Sequence, residues 1–445
     1  MGGCTSAHAQ GQVLWSVESN FRLLKDPSDQ AWLKTLSLDS EDPNHARVKL
    51  RDLQNQWKEV PSTHYNEKTS TYDRDYVQNK AATVFIRLDS SSSAYGTNCQ
   101  WTIQGKVADG PCHDFIAELP NSSSPKPISV LTPSGQQETA VVSIKDILFV
   151  ALGDSYSAGE GNPDVLRSDS APRGHWWDTK CRRSLYAWPV LTAARYAQMH
   201  PHETVTIVSR ACSGAVMKDL TGQINEVAAP PSEGASGQEQ LVVNGSRFLE
   251  PQLRLVERDL CAQKIEGGDS CPASMLRQPD YILLAIGGND AKFVDMIKDG
   301  LLGKINRGIE LDIQRQTKTA KAVEQMRKEY PRLAEMIRRL SPSAKTVMTI
   351  YPDPLHAAPN YLCGTKESGS GHILNRKREI GLMGSDFLGS LASITQRELT
   401  NKETVAIHDN FYLRFTGKNK GDLVLSNNED YGGLLALGDR KSTRL

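Results

Sequence analysis

From Gln12 to about Lys145 the chain alternates apolar and polar residues in short runs, "QVLWSVESNFRLL", "ATVFIRLD", "CQWTIQG" and "TAVVSIKD", separated by clusters of Ser, Asn, Pro and Gly. Successive side chains of a strand point to opposite faces, so a period of two between turn signals predicts half-buried antiparallel strands. Trp101 stands beside Cys99, with Cys112 eleven residues beyond it, which hints at a disulfide inside a small sandwich. The spacing is not that of an immunoglobulin core, so the segment 12–145 is read as β-sandwich-like and no further.

At Ile147 the pattern changes. Continuous apolar runs, "ILFVALG", "VTIVSRACSG", "YILLAIGGND", "AKTVMTIYP" and "ETVAIHDNF", now alternate with helical stretches such as "SLYAWPVLTAARYAQMH" and the long "IELDIQRQTKTAKAVEQMRKEYPRLAEMIRRL". Strands apolar on both sides, alternating with helices, predict a parallel sheet covered on both faces. The fold class is therefore α/β, with the sandwich-like domain first and the parallel-sheet domain over 146–437. The helix through Gln325 to Arg339 has amphipathic spacing and should pack one face on the sheet.

A length of 445 residues fits two or three domains. Lys plus Arg and Asp plus Glu balance at 52 each, so no overall field recommends nucleic acid or an anionic membrane as partner. The apolar runs fall well short of the roughly 20 residues that a membrane-spanning helix needs. The first residues read "MGGCTSAHAQGQ"; Ala7-His8-Ala9 looks like the end of a signal peptide without its apolar region, and a short frayed end fits equally, so residues 1–11 are a signal remnant or disordered. Eight cysteines, none in C-x-x-C spacing, favour disulfides and hence a secreted or periplasmic protein, with buried free thiols as the alternative.

Ligands of parallel sheets sit beyond the carboxyl ends of the strands. Three successive strands here end at Gly153-Asp154-Ser155, Cys212-Ser213-Gly214 and Gly287-Gly288-Asn289-Asp290. Ser155 could attack an ester carbonyl, while its own N–H, the N–H of Gly214 and the side-chain amide of Asn289 could hold the oxyanion. Glycine at 214 lets a backbone N–H approach the substrate with no Cβ in the way. Asp290 reads as a loop-orienting carboxylate, since no second carboxylate or histidine stands at a metal-ligand spacing from it. Trp176-Trp177 and His175 either line a substrate cleft or pack on their own domain.

The three blocks "GDSYSAGEG", "ACSGA" and "GGNDAKF", in this order, resemble the SGNH (GDSL) hydrolases over roughly Asp146 to Phe415. "CRRSLYAWP" before "ACSGA" is similar to the secreted esterase and lipase branch, which implies a Cys181–Cys212 disulfide and points to Cys261–Cys271 as a second. The resemblance implies a serine esterase without metal or cofactor, acting on a lipid ester or an acetylated polysaccharide. No G-x-S-x-G elbow is present, which argues against an ordinary α/β-hydrolase.

A serine hydroxyl needs a histidine to take its proton. The D-x-x-H pattern occurs at Asp353–His356, after "AKTVMTIYP", whereas the resembling family carries its base one helix and one strand later, past Phe411, where no histidine follows. His408 lies within the last strand pattern itself. The expectation is a chain that stops before its base, with "GDRKSTRL", 438–445, as a non-native tail and Cys363 deprived of its partner. The alternative is a catalytically dead SGNH scaffold that binds esters or glycans.

Overall fold

The computed structural model describes residues 13–30, 57, 59–165, 174–222, 240–243, 246–265, 269–290 and 309–349, with the backbone of short strands at 356–358, 361–362 and 404–407. The segments 1–11 and 438–445, Asp353, Cys363, His408 and the side chain of His356 lie outside the described residues. No described helix is long and apolar enough to cross a membrane.

The alternating N-terminal runs form strands β1 (Val13–Val17), β2 (Ala81–Leu88), β3 (Asn98–Ile103), β4 (Lys106–Pro111), β5 (Phe115–Pro120) and β6 (Ser122–Leu131). One antiparallel sheet has the order β1-β2-β5, and β4-β3-β6 form antiparallel pairs opposite it. Their inward residues, among them Val84, Ile86, Leu88, Trp101, Leu119, Ile128 and Val130, share one core. Trp101 is fully buried there and its indole donates to the Pro111 carbonyl at 3.2 Å. Cys99 and Cys112 are joined as a disulfide beside it.

The next strand, β7 (Gln137–Gly153), is 17 residues long and changes character along its length. Its first half alternates exposed and buried positions and pairs antiparallel with β6, while Ile147 to Gly153 are all buried. That second half is the centre of the parallel sheet. It is flanked by β8 (Glu203–Ser209) on one side and β9 (Tyr281–Ala285) on the other, followed by β10 (Lys345–Thr349) and β11 (Thr404–Ile407), all parallel. Among the described residues eight strands thus form one sheet, antiparallel at the sandwich end and parallel beyond.

The helices are α1 (Arg74–Gln78), α2 (Ser155–Ala158), α3 (Trp188–Met199), α4 (Met217–Thr221), α5 (Gln252–Leu260) and α6 (Ile309–Leu340). Helix α3 packs on β7 and β8, and α4, α5 and α6 pack on one another. In α6 the buried residues Met326, Tyr330, Leu333, Ile337 and Leu340 recur every three or four positions, as the amphipathic spacing requires. The disulfides Cys181–Cys212 and Cys261–Cys271 are both formed.

Residues between β1 and β2 join the core of the parallel sheet, with Phe21, Leu23, Tyr65, Tyr72 and Tyr76 buried against it. They cover the outer edge of β8. An uncovered edge strand presents N–H and C=O groups with no partner, and alternate residues of β8 face outward here. Val205 donates to the Asn20 carbonyl at 2.7 Å and accepts from the Arg22 N–H at 3.0 Å. Ile207 exchanges two bonds with the Tyr76 hydroxyl, at 2.7 and 2.9 Å, and Ser209 two with that of Tyr72, at 3.1 and 2.8 Å. Each hydroxyl accepts from an N–H and donates to the carbonyl of the same residue, as a neighbouring strand would. Burial pushes both phenols well above their ordinary pKa, so they remain donors. Tyr76→Phe keeps the ring but leaves both groups of Ile207 buried and unpaired; urea unfolding should show a loss of about 1–3 kcal/mol.

Candidate active site at three strand ends

At the end of β7 the chain turns sharply into a helix. Gly153 has φ +118°, and a Cβ there would collide with the Ala285 carbonyl of β9, so only glycine fits. The next residue, Asp154, donates its N–H to that same carbonyl at 3.0 Å. Its buried carboxylate caps α2 by accepting from the Tyr156 N–H, also at 3.0 Å. Ser155 is then the first residue of α2 and is half-buried. A strand that ends against its neighbour's carbonyl, followed by a capped helix, leaves this serine at the rim of the sheet.

The second block is tied to the first. Cys212 donates its N–H to the Gly153 carbonyl at 3.0 Å, and Ser213 donates to the carbonyl of Cys181, whose sulfur is bonded to that of Cys212. A turn closed by the Ala215 N–H on the Cys212 carbonyl at 3.1 Å places Gly214 at φ +85°. The third block grips this turn from the other side: Asn289 Nδ2 donates to the Ala215 carbonyl at 2.9 Å. That bond uses one of the two amide protons and fixes the plane of the other. Ser155, Gly214 and Asn289 therefore stand on consecutive strand ends whose loops are hydrogen-bonded in series.

Asp290 also holds the second block, its two oxygens accepting from the Met217 N–H at 3.1 and 3.0 Å. Burial, with Asp219 and Glu329 adding negative charge nearby, pushes its carboxyl up to about 6. This is the loop-orienting part that the sequence assigns to Asp290.

The rim carries further polar residues, within the same motif blocks, to which the sequence assigns no role. Glu160 donates its N–H to the Ser155 carbonyl at 3.0 Å, while its carboxylate accepts from the Ser213 hydroxyl and pairs with Arg182. The Arg182 guanidinium lies 6.0 Å from the centre of the Trp176 ring. The tryptophan pair divides: Trp177 is buried edge-on against Tyr65, 5.3 Å between ring centres, whereas Trp176 is half-buried beneath Arg182. His175 is exposed and bridges to Val165. Asp164, fully buried, accepts from the N–H groups of Leu185 and Trp177, both at 2.7 Å, and so ties the chain after α2 to the loop before α3.

A histidine–carboxylate pair does occur, in another place. His64 Nδ1 lies 3.0 Å from Asp73, which Lys25 also contacts at 3.0 Å, and the imidazole stacks on Tyr76 at 4.8 Å. Tyr76 meets Ile207, which is level with Phe149 of β7. That is four residues short of Gly153, about 13 Å along a strand, so this pair belongs to the covered edge of β8.

The order of the three blocks, each at the end of its own parallel strand, is that of the SGNH hydrolases. The chain resembles this family. No family model matches it, and no curated protein does. Among solved structures it is similar to an extracellular lipase from Streptomyces rimosus, with 19% identity, TM-score 0.36, and 59% of this chain and 80% of that one covered. It is also similar to phospholipase A1 from Streptomyces albidoflavus, at 21% identity, TM-score 0.35, and coverage of 61% and 81%. A family two carbohydrate esterase from Clostridium thermocellum overlaps 74% of this chain and 82% of its own, at 13% identity and TM-score 0.27.

Within this site Asp290 supplies a pH test. Its folded pKa lies above that of an unfolded Asp, so its protonated form is favoured by folding and its contribution is fully present only below the unfolded value. Relative to Asp290→Asn, the native chain should gain stability as pH falls from 7 to about 4, as read by urea unfolding at each pH.

Proposed function

We propose that this chain is a carboxylic-ester hydrolase of the SGNH type, with Ser155 as nucleophile. The observation that carries the reading is the Asn289 amide, aimed by its bond to Ala215 within the same chain of contacts that links the turn at Gly214 to the carbonyl before Ser155. Ser155 Oγ attacks the ester carbonyl carbon as a histidine takes its proton. The oxyanion of the tetrahedral intermediate accepts hydrogen bonds from the N–H groups of Ser155 and Gly214 and from Asn289 Nδ2. The alcohol leaves with the proton returned by the histidine, and water then releases the acid from the serine ester.

His356 and His408 are the in-chain candidates for the base, and His356→Ala and His408→Ala test each; an unchanged rate in both variants removes them from the role. The substrate class is a lipid ester or an acetylated polysaccharide, and Trp176 with Arg182 and Glu160 offers an amphipathic rim for either. The three disulfides among the described residues support residence in an oxidising compartment, secreted or periplasmic.

Hydrolysis of p-nitrophenyl acetate tests the reading. Ser155→Ala should abolish it, and a variant that keeps the native rate would remove Ser155 from the role. Asn289→Ala should fold normally yet lose roughly 100- to 1,000-fold in kcat, the usual effect of deleting one oxyanion donor. A loss below threefold would take Asn289 out of the site.

A further inference from the structure

Beyond Ser209, β8 parts from β7. The N–H groups of Arg210 and Ala211 both converge on the Ala151 carbonyl, at 2.8 and 3.2 Å, and the chain then turns away. Two residues further along β7 the Gly153 carbonyl still accepts from the Cys212 N–H at 3.0 Å, while the Gly153 N–H finds no backbone acceptor among the described residues. Both groups are buried, and buried backbone groups need partners. The side chain of Gln252 supplies the acceptor for that N–H and a second donor to the carbonyl. Its Oε1 accepts from the Gly153 N–H at 2.8 Å and its Nε2 donates to the Gly153 carbonyl at 2.8 Å. A carboxamide has the donor and acceptor of a peptide group in nearly the same geometry, so one side chain completes the pairing that the segment after β8 leaves half made.

The clasp is firmly mounted. Gln252 opens α5 directly after Pro251 and is almost wholly buried. Seven residues later, two turns on and on the same face, Asp259 receives two bonds of 2.6 Å from the guanidinium of buried Arg210, at the point where β8 departs. The helix thus grips the end of β7 through Gln252 and the end of β8 through Asp259. On the opposite side of β7, the Ala285 carbonyl holds Asp154.

We propose that Gln252 is a positioning residue for the nucleophile: by fixing the plane of the Gly153–Asp154 peptide it sets the direction of the Ser155 side chain and N–H. This rests on the reading of Ser155 as nucleophile. Gln252 makes no contact with substrate in this role, and its effect passes wholly through the turn.

The test is the rate at which a fluorophosphonate phosphonylates Ser155, followed by mass spectrometry of the intact, oxidised 445-residue chain, with thermal unfolding measured alongside. Native chain labelled at Ser155, with Ser155→Ala unlabelled, supports the nucleophile; a native chain not labelled there overturns that reading and this inference with it. Gln252→Leu should be labelled about 10- to 100-fold more slowly, the scale expected when a reacting group is misplaced by about 1 Å. Gln252→Glu gives the reading that a merely structural role would not move. Protonated, the carboxylic acid keeps one acceptor and one donor, and burial raises its pKa; ionised, it sets a carboxylate against the Gly153 carbonyl. Its labelling rate should stay within about threefold of native in acid and fall toward that of Gln252→Leu as pH rises, a new ionisation absent from the native profile. With Ser155 labelled in the native chain, a folded Gln252→Leu variant labelled at the native rate overturns the positioning role alone. A Gln252→Glu profile parallel to native overturns it as well, and decides the matter if the leucine variant does not fold.

Discussion

One strand, Gln137–Gly153, belongs to both halves of the molecule, and the placement of the site depends on it. Its first residues pair with the sandwich, its last are flanked by β8 and β9, and its final residue meets the turn that bears Ser155. A hydrogen-bonded strand between two ladders cannot bend where it likes. The sandwich is therefore not hung from the parallel sheet by a linker; the two share backbone. The position of Ser155 is held by pairing along the whole strand as well as by its own turn.

Pairing stops where neighbouring strands diverge, and there the structure repeats one solution. A polar side chain presents a donor and an acceptor to both groups of one residue: Tyr76 at Ile207, Tyr72 at Ser209 and Gln252 at Gly153. The first two close the outer edge of β8, which would otherwise be open to another chain. The third acts at the centre of the sheet, beside the serine. The same requirement, that buried N–H and C=O groups be satisfied, gives protection in one place and positioning in the other.

Around the site, polar contacts act mostly on loops and not on Ser155 directly. Asn289 holds Ala215, Asp290 holds Met217, Cys212 holds Gly153, and the Cys181–Cys212 disulfide ties the loop before α3 to the second block. Such a chain of contacts keeps donors near Gly214 and Asn289 fixed in advance, as the oxyanion stabilisation proposed for them needs, because dipoles that must first reorient lose much of their effect.

The sequence by itself determined the elements and their burial. The run Ile147 to Leu152 is apolar throughout and is a strand buried on both faces; the spacing from Met326 to Leu340 makes one helical face buried. It also marked the strand ends at Ser155, Gly214 and Asn289, because a polar or glycine residue directly after an apolar run is a local signal. Only the tertiary structure decided how these ends are held. Gln252 lies 99 residues from Gly153, and Tyr76 131 from Ile207. Neither has a neighbour that marks it out: "EPQL" reads as an ordinary helix start and "DRDYV" as an ordinary turn of helix. Periodicity records which face of a segment is buried, whereas a polar partner is chosen by which buried groups the sheet leaves unpaired, and that exists only once the strands have been laid side by side.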